Sequence, residues 1–218
     1  MATARPTTLR EKAYTSFTQR LLAQEIHAGQ FVTQRELVAM TGMTLGAIRE
    51  LIPRLEAEGL VTTEPQRGLR IADVDLNLIR DAFQFRLVLE REAASNFALH
   101  APAGELARLR HAHESVLRDA AARITPKLVA RAQATDWDLH DTLIDFLDNR
   151  IISSTYRVNS LKIRMIRQTQ TRIHESLVVP VMQEHLAIVV ALETRDPARA
   201  ADAIGAHIAS ARNRAMRL

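Results

Sequence analysis

Four side chains that commonly bind metal ions recur at spacings that would bring them together in a helical protein. Asp136 and His140 are four residues apart, so on a helix they would share one face. His185 and His207 are each eleven residues from Asp196, which lies in a predicted turn between two helices. In an antiparallel hairpin, equal distance from the turn puts both imidazoles at the same height. Three imidazoles and one carboxylate inside an apolar bundle would bind a divalent metal, such as zinc or nickel.

A second pair with the same four-residue spacing is Arg86 and Glu90. Such a pair often stabilises a helix surface as an ion pair. Alternatively, Arg86 points into a cavity beside the metal and binds a carboxylate, because a guanidinium suits planar anions. The residues alone leave both alternatives open. The remaining histidines show no partner pattern, and no role is predicted for them: His27, His100, His111, His113 and His174.

Three histidines and a carboxylate also build catalytic zinc sites, so a metal-dependent hydrolase is a rival interpretation. The sequence near these ligands contains no convincing general base or nucleophile motif, which favours a protein that is not an enzyme. A third possibility is a metal that only stabilises the bundle.

The elements that must position these ligands are predicted to be helices. Capping residues followed by proline, Thr125-Pro126 and Asp196-Pro197, mark two helix starts. The predicted helices cover about residues 76–99, 103–123, 126–147, 153–177, 180–194 and 197–218. They form an all-α antiparallel bundle in a C-terminal domain of residues 74–218, and the fold class is mainly α.

Residues 1–73 are predicted to form a winged helix-turn-helix domain. Thr33 and Glu36 have the spacing of a capping box, which starts a short helix. Gly42 suits the turn that follows, and Thr44 can cap the second helix. Gly59 suits the left-handed conformation just past that helix.

A helix at about residues 9–27 is predicted to precede this unit, and a two-stranded wing to follow it. The wing strands are expected at residues 60–63 and 69–71, around a turn that contains Gly68. A winged helix-turn-helix usually binds duplex DNA.

The charge of the chain is less informative than this pattern. The net charge is +4, but residues 35–70 contain five basic and five acidic side chains. DNA affinity must therefore come from the placement of cations and from pairing two such modules.

Composition favours a cytoplasmic protein. The chain has no cysteine, which excludes disulfides and thiolate metal sites. No apolar run is expected to be long enough to span a bilayer, and the N-terminus lacks the apolar core of a signal peptide.

With these residues in view, the chain resembles the GntR superfamily of bacterial transcription regulators, in its FadR-like branch with an FCD ligand-binding domain. The six-helix count is similar to the shorter, VanR-like form. The matching segments are residues 35–37 (REL), 44–52 (TLGAIRELI), 55–61 (LEAEGLV), Gly68, 85–90 (FRLVLE), 136–140 (DWDLH), 184–200 (EHLAIVVALETRDPARA) and His207.

The resemblance implies specific roles. In that family the residues matching Asp136, His140, His185 and His207 bind a metal, and an organic acid often binds there. This favours the carboxylate-binding role of Arg86. The resemblance also implies a homodimeric, ligand-responsive regulator, usually a repressor, on a short palindromic operator. The candidate DNA contacts are Arg35, Thr44 and Arg49, with Arg67 and Gly68 from the wing.

The second helix of the helix-turn-helix departs from the family pattern at three positions. Leu45 stands where the family usually has Arg, and Ala47 where it has Pro. These changes put the family's usual operator sequence in question for this chain. Pro53 removes a helical hydrogen bond to the Arg49 carbonyl and is expected to kink the helix.

Overall fold

The computed structural model describes residues 8–166 and 173–216, which form helices and one small sheet. The predicted fold class is confirmed: a winged helix-turn-helix precedes an all-α bundle. In chain order the elements are α1 Leu9–Leu22, β1 Phe31–Val32, α2 Gln34–Thr41, α3 Leu45–Ala57, β2 Val61–Glu64, β3 Gly68–Ile71, α4 Leu76–His100, α5 Ala103–Ala122, α6 Pro126–Asp145, α7 Arg150–Ile166, α8 Glu175–Glu193 and α9 Pro197–Met216.

Local capping explains the boundaries of the helix-turn-helix. Thr33 and Glu36 form both hydrogen bonds of the predicted capping box at the start of α2. Gly42 ends α2 with a φ of 68°, and the Thr44 hydroxyl oxygen accepts from the Ala47 N–H at the start of α3. The inward face of α3 is buried as predicted, through Ile48, Leu51, Ile52 and Leu55.

Pro53 lies inside α3, which continues to Ala57. The proline is on the exposed side of the helix, so water can donate to the Arg49 carbonyl in place of the missing N–H.

The sheet has three strands, so the predicted two-stranded wing was incomplete. β3 pairs with β2 on one side and with β1 on the other, in the order β1-β3-β2. β1 has only two residues, which is too short for an alternating apolar pattern. A glycine is required at position 68, because its φ is 94° and a Cβ would lie 2.7 Å from the Val32 carbonyl oxygen.

Three predicted helix boundaries were wrong. α1 ends at Leu22 rather than near residue 27, because the chain turns at Gln24 with a φ of 61°. α7 begins at Arg150 rather than at residue 153, since the Asn149 side chain accepts from the first helical N–H groups. α8 begins at Glu175 rather than at residue 180, so Pro180, which was predicted to open or kink a helix, lies inside α8. Residues 167–172 of the predicted 153–177 helix lie outside the described residues.

Contrary to the sequence prediction, α8 is long and apolar enough to cross a membrane by length and composition alone. The same test is met by core helices of globular domains. α8 packs against α5, α6 and α9, and its buried side chains include Val181, His185 and Leu192. The contacts of α8 are those of a core helix.

Helix α7 contributes to the cores of both domains. Ile163 and Ile166 are buried in the bundle core, together with residues of α4, α6, α8 and α9. Met165 is 3% exposed and is buried instead in the N-terminal core, where Leu161 also packs. A movement of α7 would therefore disturb both domains.

Candidate metal centre

The four predicted metal ligands meet inside the bundle. Asp136 and His140 project from α6, His185 from α8 and His207 from α9. All four are buried, and one ligand atom from each lies within 4.8 Å of the others. Distant parts of the chain thus bring three imidazoles and a carboxylate together.

Carboxylates behind two of the imidazoles fix their orientation. Nδ1 of His140 is 2.6 Å from Oε2 of Glu90, and Nδ1 of His207 is 2.8 Å from Oε2 of Glu184. A carboxylate can only accept, so Nδ1 of each ring carries the proton. The Nε2 atom of each ring is therefore left with a lone pair.

The third imidazole is oriented by another histidine. Nδ1 of His113 lies 2.7 Å from the Leu109 carbonyl oxygen, so it donates there and its Nε2 is an acceptor. That Nε2 lies 3.2 Å from Nδ1 of His185, which must donate. His185 therefore also has its lone pair on Nε2.

The donor set fits a divalent cation. Nε2 of His185 and Nε2 of His207 are 3.3 Å apart, and Oδ1 of Asp136 is 3.5 Å from Nε2 of His185. Two imidazole nitrogens on one tetrahedral zinc ion would be about 3.3 Å apart. Two lone pairs at this distance repel each other unless a cation or a proton lies between them.

Burial disfavours protonation of these imidazoles. It lowers the pKa of His185 well below the ordinary histidine value, and the neighbouring His207 and His140 lower it further. Burial also lowers the pKa of His207 to about 4, although the hydrogen bond with Glu184 opposes this. Both rings are neutral at pH 7 and can donate their lone pairs to a metal.

Arg86 and Glu90 form a buried pair rather than a surface pair. The Arg86 side chain is 3% exposed, and its Nε donates to Oε1 of Glu90. Burial raises the pKa of Glu90, but Arg86 and His140 outweigh it and hold that pKa well below its ordinary value. Tyr156 also donates to Glu90, at 2.7 Å. The Glu90 carboxylate is therefore ionised.

The Arg86 guanidinium also lies 2.5 Å from Nε2 of His140. It contacts the lone pair that a metal would need. Metal binding by His140 would require Arg86 to give up this contact, and a cation would favour that by repelling the guanidinium.

A cavity of about 20 Å³ adjoins Arg86 and His140. Trp137 and Arg164 line it, and the Arg164 guanidinium stacks 4.1 Å from the centre of the indole ring. Nε1 of Trp137 and Nε of Arg164 are buried and have no hydrogen-bond partner in the described part of the chain. Unsatisfied N–H donors beside a guanidinium suit an anion, and the Asp141 carboxylate in the cavity wall, 3.6 Å from Arg164, already supplies one negative charge.

Sequence reasoning missed two residues that support the ligands, His113 and Glu184. His113 occupies the same helical stripe as the apolar Leu109 and Val116, and a polar residue in such a stripe was the available signal. Glu184 gave no local signal, because its partner His207 lies 23 residues away.

The predicted DNA contacts lie at the surface of the N-terminal domain. Arg35, Thr44 and Arg49 are exposed, and Nε of Arg49 donates to Gln34 at 3.3 Å. The Arg67 guanidinium stacks 3.9 Å from the Phe31 ring centre. These positions are open to a ligand as large as duplex DNA.

Comparison with known protein families matches most of the chain. The model of the FCD domain matches residues 81–210, and that of bacterial regulatory proteins of the gntR family matches residues 9–71. The HTH-type transcriptional regulator BphR of Paraburkholderia xenovorans strain LB400 is 27% identical over 198 residues, covering 88% of this chain and 80% of that protein.

One further sequence relative and one solved structure are also similar to this chain. The Nta operon transcriptional regulator of Aminobacter aminovorans is 26% identical over 185 residues, covering 83% of this chain and 81% of that protein. The solved structure of E. coli McbR/YncC has a TM-score of 0.72 at 13% identity, covering 93% of this chain and 94% of that one. At this identity the solved structure supports the fold alone.

Proposed function

The chain belongs to the bacterial regulatory proteins of the gntR family that carry an FCD domain, and from that premise we propose that a small organic acid, bound at a metal ion in the bundle, controls its binding to operator DNA. The protein is a DNA-binding transcription regulator. Its family consists of transcription regulators rather than enzymes, so the hydrolase interpretation has no support. We also propose that it is a cytoplasmic repressor.

The convergence of three Nε2 lone pairs carries this proposal. Asp136, His140, His185 and His207 would hold the metal, with zinc or nickel as the best candidates. Glu90, Glu184 and His113 keep the imidazoles in the tautomer that a metal requires. A divalent cation at this point would supply positive charge and an open position for a carboxylate oxygen.

Donors around the small cavity support an acid as effector. Arg86, Trp137 and Arg164 present N–H groups to the cavity. The Asp141 carboxylate also lines it, 3.6 Å from the Arg164 guanidinium, so an acid would compete with Asp141 for Arg164. A volume of about 20 Å³ admits one water-sized group. A whole acid would therefore have to widen the cavity, which couples its binding to movement of the walls.

Helix α7 is the wall that reaches the DNA-binding domain. Tyr156 and Arg164 face the cavity, whereas Met165 is buried in the N-terminal core. An open groove of about 660 Å³ lies between α3, α4 and α7, where the two domains are not packed against each other. The two domains would have two relative arrangements with different operator affinities. The acid can change operator binding only to the extent that it binds one arrangement more tightly than the other.

We propose that two copies bind a palindromic operator, because a two-fold dimer matches two-fold DNA. Arg35, Thr44 and Arg49 would contact bases or phosphates, with Arg67 and Gly68 from the wing. The candidates for the dimer interface are two highly exposed apolar side chains, Val88 of α4 at 65% and Ile151 of α7 at 78%.

The test combines metal analysis with thermal shifts. Elemental analysis of the purified protein is expected to find one metal ion per chain, and the paired substitutions His185→Ala and His207→Ala are expected to remove it. Full occupancy in the double variant would refute the site. The metal-loaded protein is then melted with mono-, di- and tricarboxylates, and at least one acid is expected to raise its Tm.

Trp137→Phe provides the matched comparison, because it keeps an aromatic ring for Arg164 and removes only the N–H donor. Loss of one hydrogen bond to a charged group is expected to weaken acid binding about tenfold or more. A folded, metal-loaded protein that responds to none of the acids would favour a purely structural metal.

A further inference from the structure

Leu45 is an exposed apolar side chain at the first position of α3. It is 38% exposed, and it lies outside the set of buried and partly buried side chains that forms the N-terminal core. Among the described residues before α4, the other large apolar side chain that is strongly exposed is Leu9. Packing of the domain therefore does not require a leucine at position 45.

The position of Leu45 is one that meets DNA. The N-terminal residues of the recognition helix contact base edges in the major groove. Leu45 shares a helix face with Arg49. Arg49 is exposed, and its Nε donates a hydrogen bond to the Gln34 side chain at the start of α2. Leu45 and Arg49 would therefore face the same stretch of groove.

The chemistry of the groove identifies what a leucine can recognise there. Base edges in the major groove present hydrogen-bond donors and acceptors, and one apolar group, the 5-methyl of thymine. A leucine side chain has neither donor nor acceptor. We propose that Leu45 contacts a thymine methyl group and so makes this chain select thymine at one position of each half-site. This inference rests on DNA binding and is independent of the metal and the effector.

Gly46 supports a close approach. A Cβ built at this position meets nothing nearer than the Thr44 hydroxyl oxygen, at 4.0 Å. The protein thus has room for a larger residue, and glycine weakens a helix relative to alanine. Because Gly46 has no side chain, the backbone at the start of α3 can come close to the DNA, and Leu45 can then reach the base edges.

The test uses a DNA duplex that the full chain selects from a random-sequence pool. Each thymine is replaced in turn by uracil, which removes the methyl group and preserves base pairing. At the contacted position we expect about a fourfold loss of affinity per half-site, the value of one buried methyl group. With Leu45→Ala, the thymine and uracil duplexes should bind equally.

Leu9→Ala is the matched control, because it removes an exposed leucine of the same domain away from α3, and it should keep the thymine preference. The inference would be overturned if the unaltered protein bound every uracil duplex as tightly as the unsubstituted thymine duplex. Retention of the full preference by Leu45→Ala would overturn it as well. Gly46→Ala should weaken DNA binding without lowering the Tm, and unchanged affinity would contradict the close approach.

Discussion

Replacing His113 by leucine tests whether the hydrogen bond behind His185 directs its Nε2 towards the metal site. His113 is fully buried on α5, where its Nδ1 donates to the Leu109 carbonyl and its Nε2 accepts from Nδ1 of His185. A leucine suits the apolar neighbours on this stripe but offers no acceptor. The His185 N–H would then be buried without this partner.

Two effects would weaken metal binding in His113→Leu. A buried N–H without a partner costs about 1–3 kcal/mol. His185 can relieve this cost by moving its proton to Nε2, which removes the lone pair that the metal needs. Loss of a supporting partner of this kind typically lowers metal affinity about 10–100-fold, and we expect a loss in that range.

The assay titrates the metal-free protein with zinc, and separately with nickel, against a chromophoric chelator at fixed pH. Circular dichroism checks that the variant is folded. His111→Leu is the control, because His111 is an exposed histidine on the same helix and should leave the affinity unchanged. A folded His113→Leu protein with unaltered affinity would refute the role assigned to His113, and so would an equal loss in the control.

Two further substitutions test the DNA face and the proposed dimer. Arg49→Ala should weaken operator binding about fivefold or more in a gel shift at unchanged Tm, since one arginine–base contact is worth about 1–3 kcal/mol. Unaltered affinity would count against this face. Val88→Asp should yield monomers in light scattering, because a charge would be buried against the partner. Val190→Asp is the control and should leave the dimer intact, because Val190 is a 49% exposed valine on α8, outside the proposed interface. A dimeric Val88→Asp protein would exclude this interface.

Local sequence signals predicted those features that neighbouring residues determine. Thr33 with Glu36 and the cap at Thr44 fixed the starts of α2 and α3, because each cap is satisfied within three residues. Strand β1 was missed, because its two residues pair with Arg70 and Leu69, far along the chain. The end of α1 was misplaced, because the backbone turns at Gln24, a residue type that gives no helix stop signal.

The sequence by itself predicted the fold class and the four residues that meet at the candidate metal centre, through helix periodicity, equal distance from a turn and the resemblance to GntR regulators. The tertiary structure alone decided which nitrogen of each imidazole faces the centre. It did so through Glu90, Glu184 and His113, which reach the ligands from other helices. It also placed Met165 in the core of the other domain. Such contacts are invisible to spacing, because they depend on how whole helices pack against one another.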